Sequence, residues 1–310
     1  MKCCPITYEP LESGRYSKKG LNKLNPSLQD LRPFPYSRKE QIQEAQKRMT
    51  KMSIAGVQPK LSAQLSVKDE VFKVVDKHGS YILKPPLSDY EEVPQNEDVT
   101  MRMAAACGIE VPLHGLIYAK DDSMLYFIRR FDRVGQTGKI HVEDLAQVGG
   151  MSRDTKYDYS MERVASLIEA YCTFPMIDKM KLFRRMLFSW LCGNEDMHLK
   201  NFSLIHNDGK IGLSPAYDLL NTTIVLANAT EEMALPLRGK KSDFNRVLFF
   251  DYFGEERLGL NKKVLSNIEN EIVSAIPEWF NLIKISFLSD ENKVEFLNII
   301  NHRKQQMGWR

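Results

Sequence analysis

Over the first 36 residues the apolar positions follow no lasting period, and Pro, Lys, Ser and Asn are frequent. An extended arm is expected there. Ser37-Arg38-Lys39-Glu40 then has the spacing of a capping box, which predicts a polar helix running to about Lys51. From Ser53 to Phe131 the texture turns to strands. "KLSAQLSV" alternates, "VFKVV" and "YILK" flank a turn at Lys77-His78-Gly79, and "HGLIYA" and "LYFIRRF" flank "KDDSM". One helix interrupts them, Asn96 to Cys107, ending at Gly108 as a C′ glycine. The prediction is a small antiparallel sheet carrying one helix.

After "VGQTGK" the spacing becomes helical. Val164, Leu167, Ile168 and Tyr171 fall at i, i+3, i+4 and i+7 and predict one buried stripe. Leu182, Phe183, Met186, Leu187, Trp190 and Leu191 form a broader one, suited to a central helix buried on most sides. "FSLIH" and "KIGLS" follow, joined by Asn207-Asp208-Gly209, a strong hairpin signal. From Asp243 onward the pattern is helical again through "NRVLFFDYF", "KKVLSNIENEIVSAI" and "NKVEFLNIINHRKQ". No internal repeat or low-complexity tract breaks this order. The chain is therefore expected to be α+β, with a strand-rich lobe over 1–134 and a helical lobe over 135–310.

Composition narrows the class. The chain has 310 residues, 43% hydrophobic and 27% charged, an ordinary globular balance. A net charge of +3 is small for this size and argues against a chain built to coat nucleic acid. Cys3, Cys4, Cys107, Cys172 and Cys192 form no C-x-x-C pair, so neither a disulfide scaffold nor a cysteine zinc site is favoured. No apolar run approaches the roughly 18 residues of a membrane span, and no signal peptide opens the chain. A cytoplasmic protein is expected.

The candidate chemistry lies in "LCGNEDMHLKNFSLI", where Asn194, Glu195, Asp196, His198, Lys200 and Asn201 crowd together between two buried elements. The hairpin that follows leads into "SPAYDLL" and places Asp218 just beyond its second strand. Two carboxylates and an amide are hard oxygen ligands of the kind that hold magnesium on phosphate oxygens. The interval Asp196-x-x-x-x-Asn201 equals that of the protein-kinase catalytic loop, in which the Asp accepts the substrate hydroxyl's proton. There the Asn and a later Asp hold the metals. Spacing alone is weak, and loop capping is the bland alternative. Four ionisable groups in six residues make the site reading the better one. His198 is compatible with simple packing, and Lys200 with a phosphate or a neighbouring carboxylate; both join the cofactor-binding candidates, neither as a catalyst.

A kinase also needs a nucleotide cradle. "YILKPP" offers Lys84 at a strand end, where an ammonium can pair α- and β-phosphates, although strand-end lysines usually face solvent. Glu97, in the first turn of the lone helix, is a partner for Lys84 or an acid favoured by the helix dipole. "SIAGVQPKLS" is the candidate phosphate loop, with Ala55, Gly56, Val57 and Gln58 as its contacts. Its single glycine fails the G-x-G-x-x-G criterion.

Taken together, "SIAGVQPKLS", "YILKPP", "RRFDR", "HVEDLAQ", "GNEDMHLKNFSL" and "PAYDLL" resemble, in order and over roughly residues 50 to 260, the HipA-like serine/threonine kinase toxins. The resemblance implies a divergent two-lobed protein-kinase fold. It also implies ATP- and Mg2+-dependent phosphorylation of a protein serine, with aminoacyl-tRNA synthetases as the expected substrates. Position by position it makes Asp196 the base, Asn201 and Asp218 the metal ligands, Lys84 the phosphate-binding lysine and Ser53 an autophosphorylated serine. Lys60 falls at the loop lysine, Arg129 and Phe131 at the adenine edge, and Asp132 at the ribose. Glu143 and Asp144 fall near the peptide substrate. Many members carry an acid where Arg129 stands. The N-terminal region looks like that of the short form, HipT, whose missing subdomain is a separate small protein. That implies a small partner docking on apolar surface of the first lobe. A separate DNA-binding antitoxin is implied as well, with no direct nucleic-acid contact by this chain.

Two other functions compete. One is a pseudokinase-like binding module; the presence of Asp196, Asn201 and Asp218 counts against it. The other is a small-molecule phosphotransferase of the aminoglycoside-kinase type, which shares the D-x-x-x-x-N loop but is disfavoured by the "SIAGVQPKLS" and "HVEDLAQ" segments.

Overall fold

The computed structural model describes residues 2–49, 59–87, 90, 92–135, 137–151, 157–225 and 231–309. The chain divides into two compact units. The first comprises Met1–Val99, Pro112–Gly138 and Ile285–Ser289; the second comprises Thr100–Val111, Lys139–Lys284 and Asp290–Arg310. Ser53, Ala55, Gly56, Val57 and Gln58 lie outside the described residues.

The first unit opens with helices α1 (Lys18–Leu24) and α2 (Arg38–Met49). Its sheet comprises β1 (Leu61–Ser66), β2 (Val71–Val74), β3 (Tyr81–Lys84), β4 (His114–Tyr118) and β5 (Met124–Arg129), in the order β2-β1-β3-β5-β4 and antiparallel throughout. The strands read from alternation are all present. Helix α3 (Val93–Ala106) lies between β3 and β4 in sequence, and the division between the units falls within it. It ends as expected, with Gly108 at φ +78° and the Ile109 N–H closing onto the Ala104 carbonyl.

The N-terminal residues are not an extended arm. Ser17 caps α1 by accepting from Gly20 N. Cys4, Ile6, Leu21, Leu24, Leu28 and Phe34 are buried in one cluster with Leu61, Phe72 and Phe127. This segment also covers the outer edge of β4. Leu116 N donates to Pro5 O, Phe34 N donates to Tyr118 O, and Lys120 N donates to Phe34 O. Leucines 21, 24, 28 and 31 carry a helix-like spacing beyond the helix itself, so only contact with the sheet reveals their role. The apolar surface expected on this unit is largely covered from within. Among its described residues the large exposed hydrophobics are Tyr90, Val134 and Ile285. The capping box at α2 is reciprocal, Ser37 N donating to Glu40 Oε2 and Glu40 N to Ser37 Oγ.

Short strands β6 (Arg133–Val134) and β7 (Gly138–Lys139) pair with each other. The second unit then continues with β8 (His141–Asp144), α4 (Leu145–Val148), α5 (Met161–Tyr171) and α6 (Pro175–Leu191). After a 3-10 turn over Leu199–Asn201 come β9 (Ser203–Asn207) and β10 (Lys210–Leu213). A π-helix over Val247–Arg257, then α7 (Lys262–Ile285) and α8 (Asp290–Gln306), complete the chain. The six α6 residues read as a broad stripe are all fully buried. Tyr171, expected in the α5 stripe, is instead 50% exposed, because the helix ends at that residue. The hairpin turn has Asp208 at φ +49° and Gly209 at φ +72°, the paired positive values of a two-residue turn matching strand twist. Alternation missed the third strand of this sheet: β8 pairs with β9, giving the order β10-β9-β8.

Candidate active site

Helix α6 delivers the polar cluster. Its chain reverses at Gly193, φ +79°, where a Cβ would stand 2.6 Å from Asn221 Oδ1, so both conformation and space demand glycine. The Gly193 carbonyl accepts from the N–H groups of Thr222 and Thr223 and from the Thr222 hydroxyl. Glu195 N donates to Thr222 Oγ1 at 2.7 Å, and Thr223 Oγ1 donates to Glu195 Oε1 at 2.6 Å. The Arg303 guanidinium of α8 lies 3.7 Å from the same carboxylate and donates to Trp190 O. Burial raises the Glu195 carboxyl above its ordinary value and lowers the Arg303 guanidinium below its own. Glu195 thus anchors the turn.

Its neighbour Asp196 points elsewhere, its side chain 47% exposed. The backbone around it is fixed on three counts. Asp196 N donates to Asn194 Oδ1, while the Asp196 carbonyl accepts from His198 N and from Asn201 Nδ2 at 2.7 Å. Because the Asn201 amide nitrogen is used in this way, its Oδ1 stands as an acceptor on the other side of the amide. Asp218 adopts φ +54°, a left-handed conformation that costs a non-glycine residue energy and tends to persist at functional sites. Its segment is tied to the turn on both sides: Tyr217 Oη donates to Lys200 O at 3.0 Å, and Thr222 and Thr223 bind Gly193. Arg185 of α6, completely buried and pulled down to about 10 by that burial, donates to Ser214 O where β10 ends.

Sequence reading missed Tyr157. Its hydroxyl donates to Asp196 Oδ1 at 2.8 Å, and its ring packs edge-on against His198 at 5.2 Å. Burial and the Asp196 charge push this phenol above its usual range. Tyr157 precedes α5 in a stretch with no periodicity, so no local signal could have found it. His198 itself is buried, with Nε2 3.9 Å from Asp196 Oδ1. Lys200 is half-buried in the 3-10 turn.

In the first unit, Lys84 Nζ lies 2.5 Å from Glu97 Oε1, with both side chains almost wholly buried and the ammonium 5.6 Å from the Tyr126 ring. The solvent-facing alternative for Lys84 is excluded. So is the dipole reading of Glu97, because α3 begins at Val93 and puts Glu97 in its second turn. Asp98, the next residue, is fully buried against His114, Oδ1 to Nδ1 3.0 Å. At the segment read as an adenine edge, Arg129 N already donates to Leu113 O. Asp132 is gripped by Arg130 at 2.7 Å and by Arg133. Burial opposes the Asp132 charge, yet these guanidiniums hold the carboxyl below its ordinary value. Lys60 is half-buried beside β1. Asp144 closes a capping box on α4, its carboxylate accepting from Gln147 N, while Glu143 faces two histidines.

An antiparallel five-stranded sheet with a buried lysine–glutamate pair, followed by a helical unit carrying an Asp-x-x-x-x-Asn turn and a later Asp, is a kinase-like α+β fold. The family model described as HipA-like C-terminal domain matches residues 52–280, and the chain belongs to this family. A Haemophilus influenzae protein that carries a provisional kinase name is 32% identical over 296 residues, covering 86% of this chain and 85% of its own. The serine/threonine-protein kinase toxin HipA of Shewanella oneidensis is 26% identical over 279 residues, covering 83% of this chain and 62% of that protein. A solved structure of the HipA, HipB and operator DNA complex from the same organism superposes with a TM-score of 0.69 at 22% identity, over 91% of this chain and 74% of that one. Kinase chemistry is thus supported at the level of the family. All five cysteines are free thiols, and no described helix is long and apolar enough to cross a membrane.

Proposed function

We propose that the protein is an ATP-dependent protein-serine kinase acting as the toxin of a toxin–antitoxin pair. The observation that carries this reading is the Asp196–Asn201 turn. A carboxylate is left half-exposed while its own backbone N–H and carbonyl are both hydrogen-bonded, and an amide is clamped through its nitrogen so that its oxygen can serve as a ligand. In this reading Asp196 accepts the proton of the attacking serine hydroxyl, and Asn201 Oδ1 and the Asp218 carboxylate hold Mg2+. Lys84, oriented by Glu97, pairs the α- and β-phosphates. Mg-ATP held there would supply the transferable γ-phosphoryl group, and the Mg2+ ion would offset the negative charge on it. Residues 55–58 with Lys60 form the phosphate loop, and Ser53 is modified by the protein's own activity. Arg129, Phe131 and Asp132 line the nucleoside side.

The substrate in this reading is a cytoplasmic translation component of the aminoacyl-tRNA synthetase class, which rests on the family resemblance. The partner is a DNA-binding antitoxin, supported by the HipB complex of the Shewanella protein. The Tyr157 hydroxyl occupies Asp196 as a substrate hydroxyl would, which favours a self-blocked enzyme over a pseudokinase. The test is mass spectrometry of a cell lysate treated with the protein and Mg-ATP, with Asp196→Asn as control. New phosphoserine on a defined protein with wild type only is the expected result. Phosphate on small alcohols or aminoglycosides instead of protein would move the assignment to a small-molecule phosphotransferase.

A further inference from the structure

Away from the Asp196 turn, β8 and β9 bring three metal-ligating side chains together. The strand register sets His141 opposite His206, and Glu143 follows His141 by two residues, so it shares that face of β8. Glu143 Oε2 lies 3.0 Å from His141 Nε2 and 3.5 Å from His206 Nε2, and the ligand atoms all lie within 4.8 Å of one another. The imidazole centroids are 4.5 Å apart at 66°. A tetrahedral ion with ligand bonds of about 2.0–2.1 Å has ligand–ligand edges of roughly 3.3–3.5 Å, which the two carboxylate–imidazole distances bracket.

We propose that His141, Glu143 and His206 form a binding site for a zinc-like divalent ion, with the fourth position open to water. Two imidazoles and one carboxylate suit zinc and disfavour magnesium, which takes oxygen ligands in octahedral array. The ligands sit on paired strands rather than on a loop, so little ordering is needed to assemble them. His141 is exposed, with Glu143 and His206 partly so, which leaves the ion a path in from solvent. Bound zinc would cross-link β8 to β9. β9 starts two residues after Asn201, and β8 runs into the Asp144 cap of α4, so the ion would stiffen the frame behind the Asn201 turn. The site is independent of the kinase reading and of nucleotide.

The test is calorimetric titration of the full chain, stripped with chelator, with zinc chloride in the absence of ATP. One zinc per chain is expected, insensitive to millimolar magnesium, together with a rise in thermal midpoint. His141→Ala and His206→Ala should each weaken binding at least about tenfold. Glu143→Gln, which preserves side-chain shape, should also weaken it and guards against misfolding of the alanine variants. His78→Ala, an exposed histidine on the other unit, and Asp196→Asn should bind as wild type does. Absence of saturable 1:1 binding, or unchanged affinity in the histidine variants, overturns the proposal.

Discussion

The buried Lys84–Glu97 pair and the half-exposed Asp196 show two ways of keeping a charge in place. In the first unit the Lys84 and Glu97 charges are removed from water and paired directly, and Asp98 is likewise buried beside His114, Oδ1 to Nδ1 3.0 Å. In the second unit the carboxylate stays in contact with solvent, and its backbone is what is held: by Asn194 and Asn201 on its own turn, and by Thr222 and Thr223 from the segment after Asp218. Position set through a partner is vulnerable to loss of that partner. Position set through the backbone leaves the side chain free for chemistry, and substitution there should spare the fold.

That contrast can be broken in order of expected effect. Glu97→Ala removes one member of the buried Lys84–Glu97 pair and should destabilise the protein by about 3–5 kcal/mol, the usual cost of breaking such a pair. Urea unfolding checks it, and a loss below about 1 kcal/mol would mean that Lys84 finds another partner. Asp196→Asn should lower phosphoryl transfer at least about a hundredfold, with the thermal midpoint nearly unchanged. A large drop in stability there would erase the distinction between the two regions.

Gly193→Ala tests the backbone anchoring itself. It forces a Cβ into Asn221 and into a left-handed conformation, and should cost about 1–3 kcal/mol of stability along with activity, even though the residue carries no functional group. Activity retained at wild-type level in a stably folded Gly193→Ala would show that the anchoring is dispensable. The smallest effect is expected for Tyr157→Phe. Removing one partly exposed hydrogen bond to a carboxylate, about 1 kcal/mol, should raise transfer to an added protein substrate by about fivefold. Unchanged or lower rates would mean that Tyr157 does not block Asp196.

Much of this was legible beforehand where a signal is local. The strands β1 to β5 were read from alternation, the Asp208-Gly209 turn from residues that tolerate positive φ, and α6 from its apolar width. The Asp-x-x-x-x-Asn spacing and the six ordered segments led to the kinase-like fold and the HipA-like family. The role of the first 36 residues was not legible. Their apolar side chains meet β4 and β5 across some hundred residues of sequence, and no window short enough to show a period contains both sides of that contact. The start of α3 was placed at Asn96 rather than at Val93, because Pro94 falls in the first turn, where proline is tolerated but adds no apolar period.

The sequence by itself determined which backbone conformations are cheap and which side chains leave water, and so it determined the elements, the family and the residue types of the candidate site. Only the tertiary structure decided which neighbours those residues acquire. Glu195 and Asp196 are adjacent acids, yet one is buried against Thr223 and Arg303 while the other stays half-exposed and accepts from the Tyr157 hydroxyl. His141 and His206 stand 65 residues apart and meet solely because β8 pairs with β9 in one register. Hydrogen-bond partners and charge environments are set by distances in space, and those follow from the packing of the whole chain rather than from any stretch of it.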